Sequence, residues 1–143
     1  MAKATQSIEI KASPKACYDV ITDFANYPKF LKETKSVEVV KKGANAWEAK
    51  FTCEVIKTIS YTLNISGKPG KTVSWSLISG DMMKSNDGGW ELEDMGGGVT
   101  NVTYSIEVNL GLLVPGAISK MLIGSNLPSM LDAFKKRVEG KNK

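Results

Sequence analysis

The sequence contains no histidine and only two cysteines, Cys17 and Cys53. Neither cysteine belongs to a CxxC pair, so the usual ligand set of a zinc site is missing. Without histidine there is also no imidazole to activate a thiol as a nucleophile. We therefore expect no metal and no other cofactor, and we interpret both cysteines as small residues of the core.

Arginine is almost absent, since only Arg137 among the nineteen basic residues is an arginine, and the net charge is +4. Lysine acts on phosphate as a point charge, whereas the planar guanidinium group of arginine reads base edges and clamps carboxylates. The lysines are also scattered along the chain, which is typical of a solvated surface. The composition permits a general affinity for anionic surfaces but does not support sequence-specific recognition of nucleic acid.

Long apolar runs are missing as well. No window approaches the roughly 20 apolar residues that a membrane-spanning helix needs, and the N-terminal stretch MAKATQSIEI lacks the apolar region of a signal peptide. A chain of 143 residues with 42% hydrophobic content can bury a core without disulfides or metal. We therefore predict one cytoplasmic domain that spans residues 1–143.

The first quarter of the chain predicts one strand and two short helices. QSIEIKA alternates as a strand with Ile8 and Ile10 on one side. In SPKACYDVITDF, Ser13 is placed as the N-cap and Pro14 in the first helical turn. A short helical turn is expected around Pro28. The side chains predicted to face inward from these two helices are Cys17, Val20, Ile21, Phe24, Tyr27, Phe30 and Leu31.

A break is expected around Glu33, and beyond it the hydrophobic period changes to two. WEAKFTCEV is the clearest strand, because apolar and polar residues alternate strictly. Gly88 and Gly89 indicate either a bulge or a close approach between strands. The predicted strands number seven. Because the connections between them are of hairpin length, we predict an antiparallel sheet. The inward side chains are predicted to be Val37, Val39, Trp47, Ala49, Phe51, Cys53, Val55, Tyr61, Leu63, Ile65, Val73, Trp75, Leu77, Trp90, Leu92, Val102, Tyr104, Ile106 and Val108.

From about Gly116 the period returns to 3.6 residues, which predicts a long amphipathic helix as far as Glu139. Its apolar face is predicted to carry Ile118, Met121, Leu122, Ser125, Leu131, Phe134 and Val138. Pro128 lies inside this pattern and has two interpretations. It either kinks the helix over a curved sheet, at a cost of roughly 3 kcal/mol for the lost backbone bond, or begins a second helix capped by Ser125 or Asn126.

A sheet of seven strands is too wide for one helix to cover. At about 4.8 Å per strand its width is roughly 34 Å, whereas a helix is about 10–12 Å across. The sheet must therefore curl around the C-terminal helix, and the short N-terminal helices must close one side. Curling brings inward aromatic side chains together, where they either fill the interior or wall a pocket. These aromatic residues are Trp47, Phe51, Tyr61, Trp75, Trp90 and Tyr104.

The order of one strand, two short helices, six strands and a long helix resembles the helix-grip fold of the START-like superfamily. Three stretches carry the resemblance, namely SIEIKASPKACYDVITDFANYPKFL, GGWELEDMGGGVTNVTYSIEV and LVPGAISKMLIGSNLPSMLDAFKKRVE. They look most like the bacterial polyketide cyclase/dehydrase and lipid-transport group, close to coenzyme-Q-binding START-domain proteins and ribosome-association toxins. The resemblance implies an α+β fold in which a curved seven-stranded antiparallel sheet wraps around the C-terminal helix, with an apolar ligand in a cavity between them.

The predicted inner wall carries no charge. Every carboxylate within a predicted strand falls on the outer parity, so no strand directs a general acid or base inward. The few polar groups of the wall can orient a ligand but make a weak catalytic set. They are the hydroxyls of Tyr61 and Tyr104, the indole nitrogens of Trp75 and Trp90, and the thiol of Cys53.

The predicted ligand-binding residues are Phe30, Phe51, Cys53, Tyr61, Trp75, Trp90, Tyr104, Met121, Leu122, Leu127 and Met130. Each aromatic residue among them has a plain role in the core as its alternative. No residue is predicted to be catalytic.

We expect a binding or carrier module for an apolar small molecule such as a lipid, an isoprenoid or a quinone-like compound. Two other functions stay open. One is a metal-free cyclase, aromatase or dehydratase in which tyrosine polarises a carbonyl group, and the other is a ribosome-associated or protein-interaction module like the toxin relatives. The NLGLLVPGA loop suits transient membrane contact, and the alternative is that its leucines seal the core.

Overall fold

The fold is an antiparallel sheet with a C-terminal helix against its inner face. A computed structural model describes residues 2–54, 58–81, 83–110 and 127–141. The elements are β1 (Ala2–Ile10), α1 (Pro14–Ile21), a 3₁₀ helix (Phe24–Lys29), β2 (Thr34–Gly43), β3 (Ala46–Glu54), β4 (Thr58–Lys68), β5 (Thr72–Gly80), β6 (Met83–Gly96), β7 (Val99–Leu110) and α2 (Leu127–Lys141). Across the described residues the strand order is β1-β7-β6-β5-β4-β3-β2 in one seven-stranded sheet. The predicted α+β helix-grip fold is confirmed.

β1 forms one edge of the sheet and pairs with the last strand rather than with its neighbour in sequence. The pairing with β7 runs from Ala2 opposite Val108 to Ile10 opposite Thr100. β1 therefore includes four residues ahead of Gln6, where the predicted strand begins. Local alternation does not reveal this extension, because pairing with a strand some 100 residues away creates it.

α1 begins as predicted. The Ser13 hydroxyl accepts a hydrogen bond from the Ala16 amide at 3.1 Å, and Pro14 occupies the first turn. α1 ends at Ile21, and Phe24 begins the 3₁₀ helix instead of continuing α1. Phe24 is buried all the same, so the predicted inward direction of its side chain is right although its element differs.

The core follows the alternation of the strands, most clearly in β3, where four inward residues are buried between exposed or half-buried neighbours. These buried residues are Trp47, Ala49, Phe51 and Cys53. Cys17 is buried in α1, and both cysteines are free thiols in the core, as predicted.

Gly88 and Gly89 lie where β6 passes beneath the side chain of Trp75. The pairing of β6 with β7 runs through both glycines without a change of register, so these two residues do not form the bulge that was one of the two predictions. The other prediction, a close approach, is right. A Cβ atom on Gly88 would lie 2.3 Å from the Ser105 carbonyl oxygen and 2.6 Å from Trp75 Cζ2.

The sheet divides between β5 and β6. Among the described residues these strands pair only from Thr72 opposite Glu91 to Trp75 opposite Gly88. Beyond Trp75, β5 stays paired with β4, whereas the first part of β6 stays paired with β7. Trp75 Nε1 bridges the gap by donating a hydrogen bond of 2.9 Å to Asn86 Oδ1.

Hydrogen bonds connect the C-terminal half of α2 to the end of β1. The Lys11 amide donates a hydrogen bond to Glu139 Oε2 at 3.0 Å, and Lys135 Nζ donates one to the Glu9 carbonyl oxygen at 3.1 Å. Lys135 and Glu139 also form an ion pair within the helix. The buried residues of α2 are Leu127, Leu131, Phe134 and Val138. The predicted apolar face of this part of the helix is confirmed.

Several predictions fall on residues 111–126, which lie outside the described residues. They are the start of the helix near Gly116 and both roles given to the NLGLLVPGA loop. Pro128 itself lies in the first turn of α2. Its two interpretations differ in the chain that precedes Leu127, so the choice between them also depends on residues outside the described ones. The inward direction of Val55 lies outside the described residues as well. In the part of the chain that is described, no helix has the length and apolarity needed to cross a membrane.

Candidate ligand-binding cavity

A cavity of about 120 Å³ lies between the inner face of the sheet, the 3₁₀ helix region and α2. Its aromatic wall residues from the sheet are Phe51, Tyr61, Trp75, Trp90 and Tyr104. From outside the sheet the wall includes Phe24, Tyr27, Leu31, Met130 and Phe134. The cavity therefore lies where sheet and helices meet.

Two sequence periodicities build this wall. Residues two apart on a strand point to the same face, which directs the aromatic residues of the sheet inward. Met130 and Phe134 are four apart on α2 and lie on one side of the helix for the corresponding reason. The side of α2 that carries buried residues is thus also the side that closes the cavity.

Aromatic side chains fill part of the interior and wall the rest. The ring centroid of Trp90 lies 4.8 Å from that of Tyr104 and 4.9 Å from that of Phe134, both with steeply inclined planes. Such edge-to-face packing is a favoured geometry for aromatic pairs. Trp47 packs edge-on against Phe24 at 5.4 Å and does not line the cavity. Some of the aromatic residues therefore fill the core and others wall the cavity, so both predicted alternatives occur.

Six of the predicted ligand-binding residues are brought together on the cavity wall, namely Phe51, Tyr61, Trp75, Trp90, Tyr104 and Met130. Phe30, Cys53 and Leu127 do not line the cavity. Met121 and Leu122 lie outside the described residues. For every residue of the predicted ligand-binding set, contact with a ligand stays a prediction.

Phe30 and Cys53 lie behind residues of the wall. The Phe30 ring packs against that of Phe134 at 5.0 Å, and the guanidinium carbon of Arg137 lies 5.3 Å from the Phe30 centroid. Cys53 Sγ lies 3.5 Å from the Tyr61 hydroxyl oxygen. Both side chains therefore contact wall residues, Phe134 and Tyr61, without lining the cavity themselves.

Asn86 is a polar wall residue that sequence reasoning missed. It is 3% exposed and lies on the inner face of β6. A bulge at Gly88 would have turned residue 86 outward, so the two alternatives left open for the glycine pair place this residue on opposite faces. Since the register is unbroken, counting back in twos from Trp90 reaches Asn86, and that count was the available signal.

The described part of the wall carries no ionisable group that titrates near neutral pH. It contains no aspartate, glutamate, lysine or arginine side chain. Burial raises the pKa of Tyr27, Tyr61 and Tyr104 well above the usual tyrosine range, and it raises the pKa of the nearby Cys53 thiol. These groups stay protonated at neutral pH, so they form hydrogen bonds but do not act as general bases.

Among the described residues, no group of three or more His, Cys, Asp or Glu side chains is placed to hold a metal ion.

A shallow depression on the surface beside the cavity is lined by Lys29, Lys32 and Lys35. Leu31 and Thr34 line both this depression and the cavity.

A curved antiparallel sheet around a C-terminal helix, with an apolar cavity between them, defines a START-like helix-grip domain. Residues 10–135 match the family described as polyketide cyclase/dehydrase and lipid transport, and the chain belongs to this family. The resemblance seen in the sequence is confirmed. The family thus covers polyketide cyclases and dehydrases as well as lipid transport.

Solved structures share this fold. The Zhui aromatase/cyclase from a Streptomyces species matches with a TM-score of 0.89 and 11% identity, over 99% of this chain and 96% of that one. A START superfamily protein from Mycobacterium smegmatis matches with a TM-score of 0.84 and 19% identity, over 97% of this chain and 98% of that one. A STAR-related lipid transfer protein from Xanthomonas axonopodis matches with a TM-score of 0.78 and 14% identity, over 95% of this chain and 85% of that one. None of the curated proteins matches the chain significantly in sequence.

Proposed function

We propose that the chain binds a ring-sized apolar group in the cavity between the sheet and α2, as a binding or carrier module for a lipid, an isoprenoid or a quinone-like molecule. The observation that carries the proposal is that the described residues form an uncharged, largely aromatic wall around about 120 Å³ of unfilled volume. Membership of a family described by lipid transport and polyketide conversion supports it.

The volume limits which part of a ligand fits. An apolar cavity of about 150 Å³ stays dry and takes up benzene, whereas sites for drug-sized molecules are about 300–1,000 Å³. One ring therefore suits the cavity as described. A longer acyl or isoprenoid chain would enter with one end only, unless the wall moves.

Burial supplies the driving force without any salt bridge. A single ring with about 200 Å² of surface, at about 25 cal/mol per Å², gives a gross gain of about 5 kcal/mol before the costs of association. Single-ring compounds are therefore expected to bind weakly. A tightly held natural ligand needs contacts beyond the ring.

Native mass spectrometry of protein purified from its own host, followed by organic extraction, tests the proposal. We expect a bound apolar molecule that denaturation releases. Met130→Trp should fill the cavity and lower occupancy, whereas Ser129→Trp at the neighbouring exposed position should leave it unchanged. Protein that is always empty and takes up no apolar dye would contradict the proposal.

A cyclase, aromatase or dehydratase is the second candidate. It is favoured by the phenol groups of Tyr61 and Tyr104 on the wall and by the fold shared with the Zhui aromatase/cyclase. Because their pKa values are raised, these phenols would donate a hydrogen bond to a substrate carbonyl rather than remove a proton. Phenylalanine at both positions should then abolish turnover of a polyketide-like substrate. Unchanged turnover would exclude them as catalytic residues.

A ribosome-associated or protein-binding role is the third candidate, and the depression lined by Lys29, Lys32 and Lys35 favours it. Co-sedimentation with ribosomes at physiological salt distinguishes it from the other two. Replacing the three lysines with glutamine should abolish co-sedimentation and leave ligand content unchanged.

A further inference from the structure

Asn86 presents a fixed amide group to the cavity. Its Oδ1 accepts the hydrogen bond of 2.9 Å from Trp75 Nε1, at the point where β5 and β6 separate. An indole N–H is a donor only, so the atom that faces it must be the amide oxygen. This hydrogen bond therefore fixes the amide orientation and turns the NH₂ group of Asn86 away from Trp75.

The NH₂ group of Asn86 has donor capacity to spare. The acceptor that the described residues offer it is the thioether sulfur of Met83, 3.9 Å away. Thioether sulfur is a weak acceptor, and a buried amide without a good partner loses much of its hydrogen-bonding free energy. An oxygen atom of a ligand would satisfy this donor better than Met83 does.

Tyr104 provides an independent observation on the same wall. It is 9% exposed, and its hydroxyl forms no hydrogen bond with any described residue. In the described part of the chain every fully enclosed side-chain nitrogen or oxygen has a partner, so the Tyr104 hydroxyl borders open space, and its residue lines the cavity. The indole N–H of Trp90, which is 4% exposed, also has no partner among the described residues. The uncommitted polar groups of the wall are therefore mainly donors.

We propose that the cavity selects a neutral cyclic group that carries a hydrogen-bond acceptor, such as a ketone or ether oxygen, and that Asn86 and Tyr104 recognise this acceptor. The inference rests on the proposed ligand binding in the same cavity. A hydrocarbon ring would leave the donors unsatisfied. A carboxylate or phosphate would be buried against a described wall that offers no cation, which is costly.

Two single-ring probes of the same shape test the inference on the full-length protein. They are acetophenone and α-methylstyrene, in which a CH₂ group replaces the carbonyl oxygen. Ligand-observed NMR titration gives the dissociation constant of each probe. The ratio of the two constants is compared between the wild type and the variants Asn86→Leu and Tyr104→Phe, so that differences in hydration of the probes cancel.

Loss of one donor should raise the dissociation constant of acetophenone relative to that of α-methylstyrene by about fivefold, which corresponds to the typical net free energy of one hydrogen bond. Asn64→Leu on the exposed face of β4 and Tyr18→Phe, whose hydroxyl bonds Asn45, are matched controls and should leave the ratio unchanged. Tyr104→Phe removes no hydrogen bond to a described residue, so it keeps the test decisive if Asn86→Leu does not fold.

A shift of the ratio in either variant, with none in the controls, supports the inference. An unchanged ratio in both variants overturns it and leaves ligand binding intact. If the wild type binds neither probe, the proposed function fails together with the inference.

Discussion

Three phenol groups in the cavity wall contribute to the response of the protein to alkaline pH. They belong to Tyr27, Tyr61 and Tyr104, and burial raises the pKa of each. The Tyr27 hydroxyl donates to the Ile21 carbonyl oxygen, whereas the Tyr104 hydroxyl has no described partner. Tyr104 therefore offers the cleaner test, because removing its hydroxyl breaks no described contact.

The free energy of unfolding should fall at alkaline pH, in part through Tyr104. Its folded pKa is raised, so the stability linked to its protonation is intact below the unfolded pKa of about 10 and is lost as the pH rises toward the folded pKa, at up to about 1.4 kcal/mol per pH unit. Tyr104→Phe should remove this share of the slope. Urea unfolding of both proteins between about pH 8 and pH 11 measures it, and parallel curves for the two proteins would contradict the prediction.

At the level of residues, the sequence allowed most of the wall to be predicted, including the polar groups of Tyr61, Tyr104, Trp75 and Trp90, but not Asn86. Strict alternation in β3 and β7 points Phe51 and Tyr104 inward whatever else the chain does. The direction of the Asn86 side chain is not fixed by the local pattern, because the glycine pair permits either a bulge or a close approach, and the two alternatives place residue 86 on opposite faces. The unbroken pairing of β6 with β7 excludes the bulge, and the close contact of Gly88 with Trp75 agrees; both are made across strands.

At the level of elements, β6 is held close to its neighbours where it crosses the cavity. Gly88 leaves room there for the Trp75 ring, which lies 5.5 Å from the Tyr104 ring and continues the wall beyond the point where β5 and β6 separate. A side chain at position 88 would push the ring or the β7 backbone away.

Gly88→Ala should lower the free energy of unfolding by about 1–3 kcal/mol, the usual cost of overpacking. The added methyl group meets the Ser105 backbone at 2.3 Å, where no flexible side chain can yield. Gly140→Ala is the matched control. Its Cβ would meet nothing within 4 Å, and alanine in a helix should raise stability by about 0.5–1 kcal/mol. Chemical denaturation measures both changes, and equal effects would contradict the prediction.

Element ends were harder to predict than element types. The period of two identified all seven strands, because one buried face imposes it along the whole length of a strand. The early start of β1 depends instead on pairing with β7. α1 ends at Ile21, and Phe24 in the following 3₁₀ helix packs against Trp47 of β3. Such contacts between distant segments leave no local pattern.

At the level of the whole molecule, the sheet and helices form one core around the cavity. α1, the 3₁₀ helix, α2 and residues from six of the seven strands contribute to the buried cluster, with β2 packed against its edge. One domain from residue 1 to 143 stays a prediction. A shared core of this kind should unfold in a single cooperative step.

Calorimetry should show one unfolding transition, and a bound apolar ligand should shift it upward. At ten times its dissociation constant a ligand adds about 1.4 kcal/mol, which for a chain of this size corresponds to about 4 °C. Met130→Trp, with the cavity filled, should lose this shift. Two separate transitions would contradict a single domain, and an unchanged midpoint in the wild type would contradict binding in the cavity.

The fold could be predicted from the order and periods of the elements, whereas the size of the cavity could not. The unfilled volume is a small difference between the space that the elements enclose and the volume of the side chains in it. Its magnitude is therefore a property of side-chain packing.

The placement of the three tryptophans has an optical consequence. Trp75 and Trp90 line the cavity, whereas Trp47 packs against Phe24 away from it. A quenching molecule inside the cavity would dim two of the three indole emitters and leave the third as an internal reference. The protein thus contains its own unlabelled fluorescent sensor of occupancy.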